Sequence, residues 1–96
     1  MGRWLRPDGG YVLEIRSVQS DGLCDAVYLN PRPIRVSRSR IDPEDSSWKL
    51  FVELSDVGYP GSTYTLRYDE LSDSMQGVYF QAAQQMRFDV QFVRME

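Results

Sequence analysis

The densest chemistry-bearing stretch of this chain is Arg32-Pro33-Ile34-Arg35-Val36-Ser37-Arg38-Ser39-Arg40, which holds four of its ten arginines. Guanidinium forks match carboxylates and phosphates bidentately, so Arg35, Arg38 and Arg40 are candidate contacts for an anion or a partner. The plainer reading is an edge strand that carries charge against sheet-to-sheet aggregation. Alternation would put these arginines on both faces of their strand, so no single face is built for a ligand. Asp42, Glu44 and Asp45 follow with Ser46 and Ser47. Their oxygens could reach calcium, but the glycine and bidentate glutamate of an EF-hand loop are missing, so a solvated loop is expected. Asp69, Glu70 and Asp73 read the same way, and no spacing sets two carboxylates in one cleft for acid–base or glycosidic chemistry.

Absences narrow the chemistry further. The chain has no histidine, which removes the commonest general base and the favoured zinc ligand. Its one cysteine, Cys24, can form neither an internal disulfide nor a thiolate cluster. Lying in the apolar run Leu23 to Tyr28 with no imidazole to activate it, Cys24 reads as a half-buried, inert thiol. No metal and no cofactor is expected. The formal charge of −3 argues against a nucleic-acid binder. No run approaches the ~20 apolar residues of a membrane-spanning helix. Met1-Gly2-Arg3-Trp4 is expected to enter the first strand without a signal peptide. That leaves a cytoplasmic protein, or a periplasmic one if Met1 stands where a leader was removed.

The remaining set is aromatic: Trp4, Tyr11, Tyr28, Trp48, Tyr64, Tyr68, Tyr79, Phe88 and Phe92. Most fall on apolar faces, where tyrosine buries its ring while keeping a polar tip available. Tyr11, Tyr28, Tyr64, Tyr68 and Tyr79 are therefore candidates for lining a ligand cavity. The competing reading is a filled core, because a small barrel is just wide enough for its own side chains or one small ligand.

The elements that must position these groups are strands. Leu, Ile, Val and Phe make up about a quarter of the 96 residues, enough for one domain with a core. Period-two alternation marks Arg3 to Arg6, Tyr11 to Ser17, Leu23 to Leu29, a polar Ile34 to Ile41, Trp48 to Leu54, Thr63 to Tyr68, Met75 to Phe80 and Met86 to Arg94. Pro7-Asp8-Gly9-Gly10, Ser20-Asp21-Gly22, Asn30-Pro31-Arg32-Pro33 and Tyr59-Pro60-Gly61-Ser62 read as turns. Phe80 to Met86 could form one helical turn or a loose hairpin tip. Connections this short imply sequential antiparallel pairing. The expectation is an all-β, up-and-down meander of seven or eight short strands, closing into a small barrel or half-barrel that hides its edges. A β-sandwich is the alternative.

The ends of the chain carry a resemblance. Gly2-Arg3-Trp4 opens the first strand as G-x-W, and Phe88-Asp89-Val90-Gln91-Phe92-Val93-Arg94 closes the last strand on an arginine. That pairing resembles the calycins (lipocalins, fatty-acid-binding proteins, avidins). Met75-Gln76-Gly77-Val78-Tyr79 is similar to their late strands. The T-D-Y-type motif of true lipocalins is absent, and the chain is shorter than theirs. The resemblance implies a small calycin-like barrel of bacterial type, closed at one end by Trp4 packing against Arg94. It also implies a non-enzymatic role: binding a small, partly apolar ligand. A protein-interaction module with a filled core, acting as inhibitor or adaptor, is the alternative. Either would be soluble, as a monomer or small homo-oligomer.

Overall fold

Alternation of apolar and polar residues governs nearly every segment of the structure, a computed structural model that describes residues 2–95. Nine strands form: β1 (Gly2–Arg6), β2 (Tyr11–Val18), β3 (Cys24–Leu29), β4 (Pro33–Ile34), β5 (Val36–Glu44), β6 (Ser47–Asp56), β7 (Tyr59–Asp69), β8 (Ser74–Gln81) and β9 (Met86–Arg94). They make one sheet in the order β4-β3-β2-β1-β9-β8-β7-β6-β5, with every pair antiparallel. The sheet coils until its two edges nearly meet, giving an almost closed barrel. Among the described residues there is no helix, and so none long and apolar enough to cross a membrane.

The first and last strands meet inside the ladder, with Trp4 opposite Arg94 and Leu5 opposite Val93. The seam lies elsewhere, where β3 and β4 face β5. One isolated bridge, Leu23 to Arg40, spans it. Around that bridge the Ile41 amide donates to Gly22 O at 2.8 Å, Ser39 Oγ to Cys24 O at 2.7 Å and Arg40 Nη2 to Asp21 O at 3.0 Å. Gly22 is required there: its φ is +94°, and a Cβ would stand 2.8 Å from the Ile41 carbonyl oxygen. Farther along, Asp56 clasps the other side. It accepts from the Arg35 amide at 3.0 Å and pairs with the Arg32 guanidinium, while the Ser55 amide donates to Arg35 O.

Three local readings change, and one open alternative is decided. The polar segment Ile34 to Ile41 is two strands broken at Arg35, which raises the count to nine. The acidic stretch after Ile41 is no loop: β5 continues through Glu44 and turns on Asp45-Ser46 directly into Ser47. The next hairpin turns on Val57-Gly58, because Asp56 pairs with Tyr59; Pro60 and Gly61 lie within β7. After Phe80, of the two alternatives read from the sequence, the hairpin tip forms and the helical turn does not. Ala82 to Gln85 is a hairpin turn, in which the Gln85 amide donates to Ala82 O at 3.3 Å. Pro33 and Pro43 are tolerated because they sit on the two edge strands.

The interior is filled along its middle by Leu13, Ile15, Leu50, Val52, Leu54, Leu66, Met75 and Phe92, all buried. Each such side chain contributes about 1.5–3 kcal/mol by leaving water. Aromatic residues gather at the two ends of this column. Tyr64 and Tyr68 of β7 are four residues apart, ~13 Å at the usual strand rise, and serve opposite ends.

Candidate functional site

Parity along β1 determines the site. Trp4 faces inward, so Arg6, two residues on, faces inward too. Its side chain is only 12 % exposed, and a buried guanidinium needs partners. Nε donates to Asp8 Oδ1 at 2.7 Å, Nη2 to Asp8 Oδ2 at 3.2 Å and Nη1 to the Tyr64 hydroxyl at 2.9 Å. Three of its five N–H donors are thereby used. The cation also lies 5.3 Å from the Tyr11 ring centroid and 5.6 Å from that of Tyr79. Burial works against the charge, but the Asp8 hydrogen bond and the Tyr64 oxygen outweigh it, and the guanidinium is held firmly protonated. Arg6 in turn keeps the Asp8 carboxyl below its ordinary value.

Tyr64 passes the network inward. Its hydroxyl is 2.7 Å from that of Tyr28, and both rings are fully buried. Burial pushes the Tyr64 phenol up to about 12, against the opposing pull of Tyr28 and Arg6, and raises Tyr28 and Tyr79 as well. All three phenols are neutral at physiological pH, able to donate or accept. Above them opens a pocket of about 240 Å3 lined by Arg6, Tyr11, Tyr28, Asn30, Tyr59, Tyr79, Gln81 and Phe88. Asn30 Nδ2 donates to the Tyr59 hydroxyl at 2.7 Å on one wall. On another, the Gln81 Oε1 atom is buried and accepts no hydrogen bond.

Of the five candidate tyrosines, then, Tyr11, Tyr28, Tyr64 and Tyr79 come together. Tyr68 does not: it stacks on Trp48 at the opposite end, rings 4.7 Å apart and 5° from parallel. Trp4 meets both rings edge-on at 5.9–6.3 Å. Arg94 covers the indole of Trp4 at 4.4 Å and donates through Nε to Asp73 Oδ2 at 2.8 Å, an acid that also accepts from the Tyr68 hydroxyl. This end carries its own aromatic stack, with an open cleft of about 440 Å3 beside Trp48 and Arg94. A larger depression of about 680 Å3 lies outside the barrel, between Pro7-Asp8 and the outer faces of β8 and β9; it is open, and no buried unpaired polar atom lines it.

The arginine-rich segment takes a different form from the one alternation implied. Arg38 and Arg40 both point outward from β5, on either side of buried Ser39. Arg40 pairs with Asp42 at 2.8 Å, and Arg38 lies 3.8 Å from Glu53 and over the Phe51 ring. Arg35 is exposed at the strand break, where its backbone joins the seam. Glu44 serves Lys49 and Arg67. Among the described residues no three His, Cys, Asp or Glu side chains come together as a metal site. Burial raises the Cys24 thiol above its ordinary value.

Phe88 was in the aromatic set the sequence singled out, whereas Arg6, Asn30, Tyr59 and Gln81 were not. Arg6 and Gln81 had a usable signal, since each shares parity with a core aromatic two residues before it, Trp4 and Tyr79. Asn30 and Tyr59 had none, because the coiling of the sheet alone brings them together. No protein-family model matches this chain, and searches of curated proteins and of solved structures find no match.

Proposed function

We propose that this protein is a non-enzymatic, calycin-like barrel that binds a small, partly apolar ligand at its Arg6 end. The observation that carries the reading is the pocket itself: a nearly enclosed guanidinium and buried phenol hydroxyls lie beside aromatic rings at one open end of the barrel. Ring faces of Tyr11, Tyr79 and Phe88 supply apolar walls, and Arg6 with the tyrosine hydroxyls supplies orientation. The pocket is smaller than the ~300–1,000 Å3 typical of drug-sized sites, so the ligand is of single-ring size. The Trp4–Arg94 closure at the far end supports the calycin likeness.

A nuclear magnetic resonance titration with benzyl alcohol, one ring bearing one O–H donor, tests this. Saturable shifts are expected at the side-chain amides of Gln81 and Asn30 and at Arg6 Nε–H, with the Trp48 indole unmoved. Gln81→Leu should weaken binding while leaving stability unchanged or raised, because it removes the unpaired acceptor. Shifts confined to the Trp48 end, or none at all, would refute the assignment.

A further inference from the structure

The first and last strands share only a short stretch of wall. β1 pairs with β9 at Trp4–Arg94 and Leu5–Val93, then leaves at Pro7 for its hairpin with β2, while β9 runs back to Met86 beside β8. Peptide groups along a strand point alternately to its two neighbours. The Met95 amide donates to Arg3 O at 2.9 Å, so the odd-numbered residues of β9 turn theirs toward β1. Beyond Val93, the peptide groups of Gln91, Asp89 and Arg87 therefore face an edge that no strand covers among the described residues. An open depression of about 680 Å3 lies between this stretch of β9 and the Pro7-Asp8 turn. Met86 and Phe88 are exposed here, and among the described residues neither Arg87 nor Asp89 has an ion-pair partner.

We propose that this edge pairs with the same edge of a second copy of the chain, antiparallel about a twofold axis at Phe88. Charge fixes the axis. With Phe88 opposite Phe88, Arg87 of each copy stands opposite Asp89 of the other, and Met86 stands opposite Val90. Arg87 and Asp89 are residues whose peptide groups face the edge, so each such pair exchanges two N–H···O=C bonds beneath an ion pair. An axis at Asp89 or at Arg87 would set like charges directly opposite, which is destabilising. An axis at Val90 would run the pairing into Val93, which β1 already occupies. On the inner face, Met86, Phe88 and Val90 of both copies form one apolar row with an aromatic pair at its centre, the kind of cross-strand contact that favours pairing. Free edges are commonly blunted by lysine, proline or a bulge. Arg87 to Gln91 contains neither residue, and its register with β8 has no shift. Gln85 of one copy falls opposite Gln91 of the other, which brings the Ala82–Gln85 turn to the depression beside Pro7-Asp8. Because Phe88 also lines the pocket at the Arg6 end, the dimer sets two such pockets on either side of the axis.

Sedimentation equilibrium of the whole chain over about 10 μM to 1 mM, a range suited to a small interface, should show reversible dimerisation. Asp89→Arg places like charges in both cross-strand pairs and should weaken the dimer about tenfold. Arg87→Asp alone should do the same. The double exchange, Arg87→Asp with Asp89→Arg, restores both pairs and should recover most of the native association. Hydrogen exchange at the Arg87 and Asp89 amides should slow as the native chain is concentrated, and not in Asp89→Arg. A chain that stays monomeric at the top of the range, with those amides exchanging freely, overturns the proposal and leaves the edge to a strand from another protein. A dimer indifferent to Asp89→Arg, or one that the double exchange fails to restore, overturns it as well. Both side chains are exposed, so the variants are expected to fold, and an unchanged thermal transition in dilute solution verifies that.

Discussion

Two inward arginines, Arg6 and Arg94, do different work because their neighbours differ. Arg6 is nearly enclosed and tied to tyrosine hydroxyls. Arg94 is 41 % exposed, lies over Trp4 and is held by Asp73. A cation over an indole at a partly exposed site is worth about 0.5–1 kcal/mol. Arg94→Ala should therefore lower the unfolding free energy by roughly that amount in a urea titration and alter Trp4 emission. Arg94→Lys should recover only part, because the planar stacking surface is lost. Full recovery with lysine would mean that charge alone, through Asp73, carries the contact. The aromatic candidates were legible by parity, but parity cannot say which end of the barrel a residue serves. Tyr64 and Tyr68 share a face and a spacing, and only the ring-to-ring contacts separate them.

Among the elements, β8 comes close to β7 at Gly77. Gly77 faces inward between Met75 and Tyr79, opposite Leu66 of β7 and Val90 of β9. A Cβ there would stand 2.0 Å from the Thr65 carbonyl oxygen, a backbone atom that cannot swing aside. The glycine permits the tight curvature that coils the sheet. Gly77→Ala should destabilise by about 1–3 kcal/mol, the usual cost of overpacking, read as a lower urea midpoint with unchanged slope. A neutral outcome would show that β7 and β8 can separate without penalty. Strands β1, β2, β3, β6, β8 and β9 were readable because turn residues bracket clean alternation. The β5–β6 and β6–β7 turns were misplaced, since Asp-Ser and Val-Gly turns are weaker signals than the nearby acidic run and Pro-Gly pair that drew attention instead.

For the molecule as a whole, the seam is where the barrel is weakest. Ladder pairing joins every other pair of neighbouring strands, whereas among the described residues β3 and β4 meet β5 and β6 through one bridge, a few main-chain hydrogen bonds and side-chain clasps. Segments with few shared hydrogen bonds open first. Asp56 makes that opening sensitive to pH. Amide donation from Arg35, the Arg32 side chain and the Val57 amide together lower its carboxyl from 3.8 to about 2. A depressed acid contributes stability above its unfolded value and loses it as pH falls through the folded one. The seam should thus hold above 3.8 and loosen as pH drops toward about 2. Hydrogen exchange at the Arg35 and Val57 amides should then accelerate ahead of β1 and β9, and Asp56→Asn should abolish that acid-specific step. Uniform acceleration across all strands would show instead that the barrel opens as one unit. By itself the sequence determined the all-β class, the antiparallel meander and the inward faces, because alternation and short turns are local, while the meeting of Trp4 with Arg94 was implied by the resemblance of the chain ends. The pairing of Arg6 with Tyr64, the orphaned Gln81, the sorting of the tyrosines to two ends and the position of the seam were decided only by the tertiary structure. Those depend on how far nine strands coil, a property of the closed sheet that no single segment encodes.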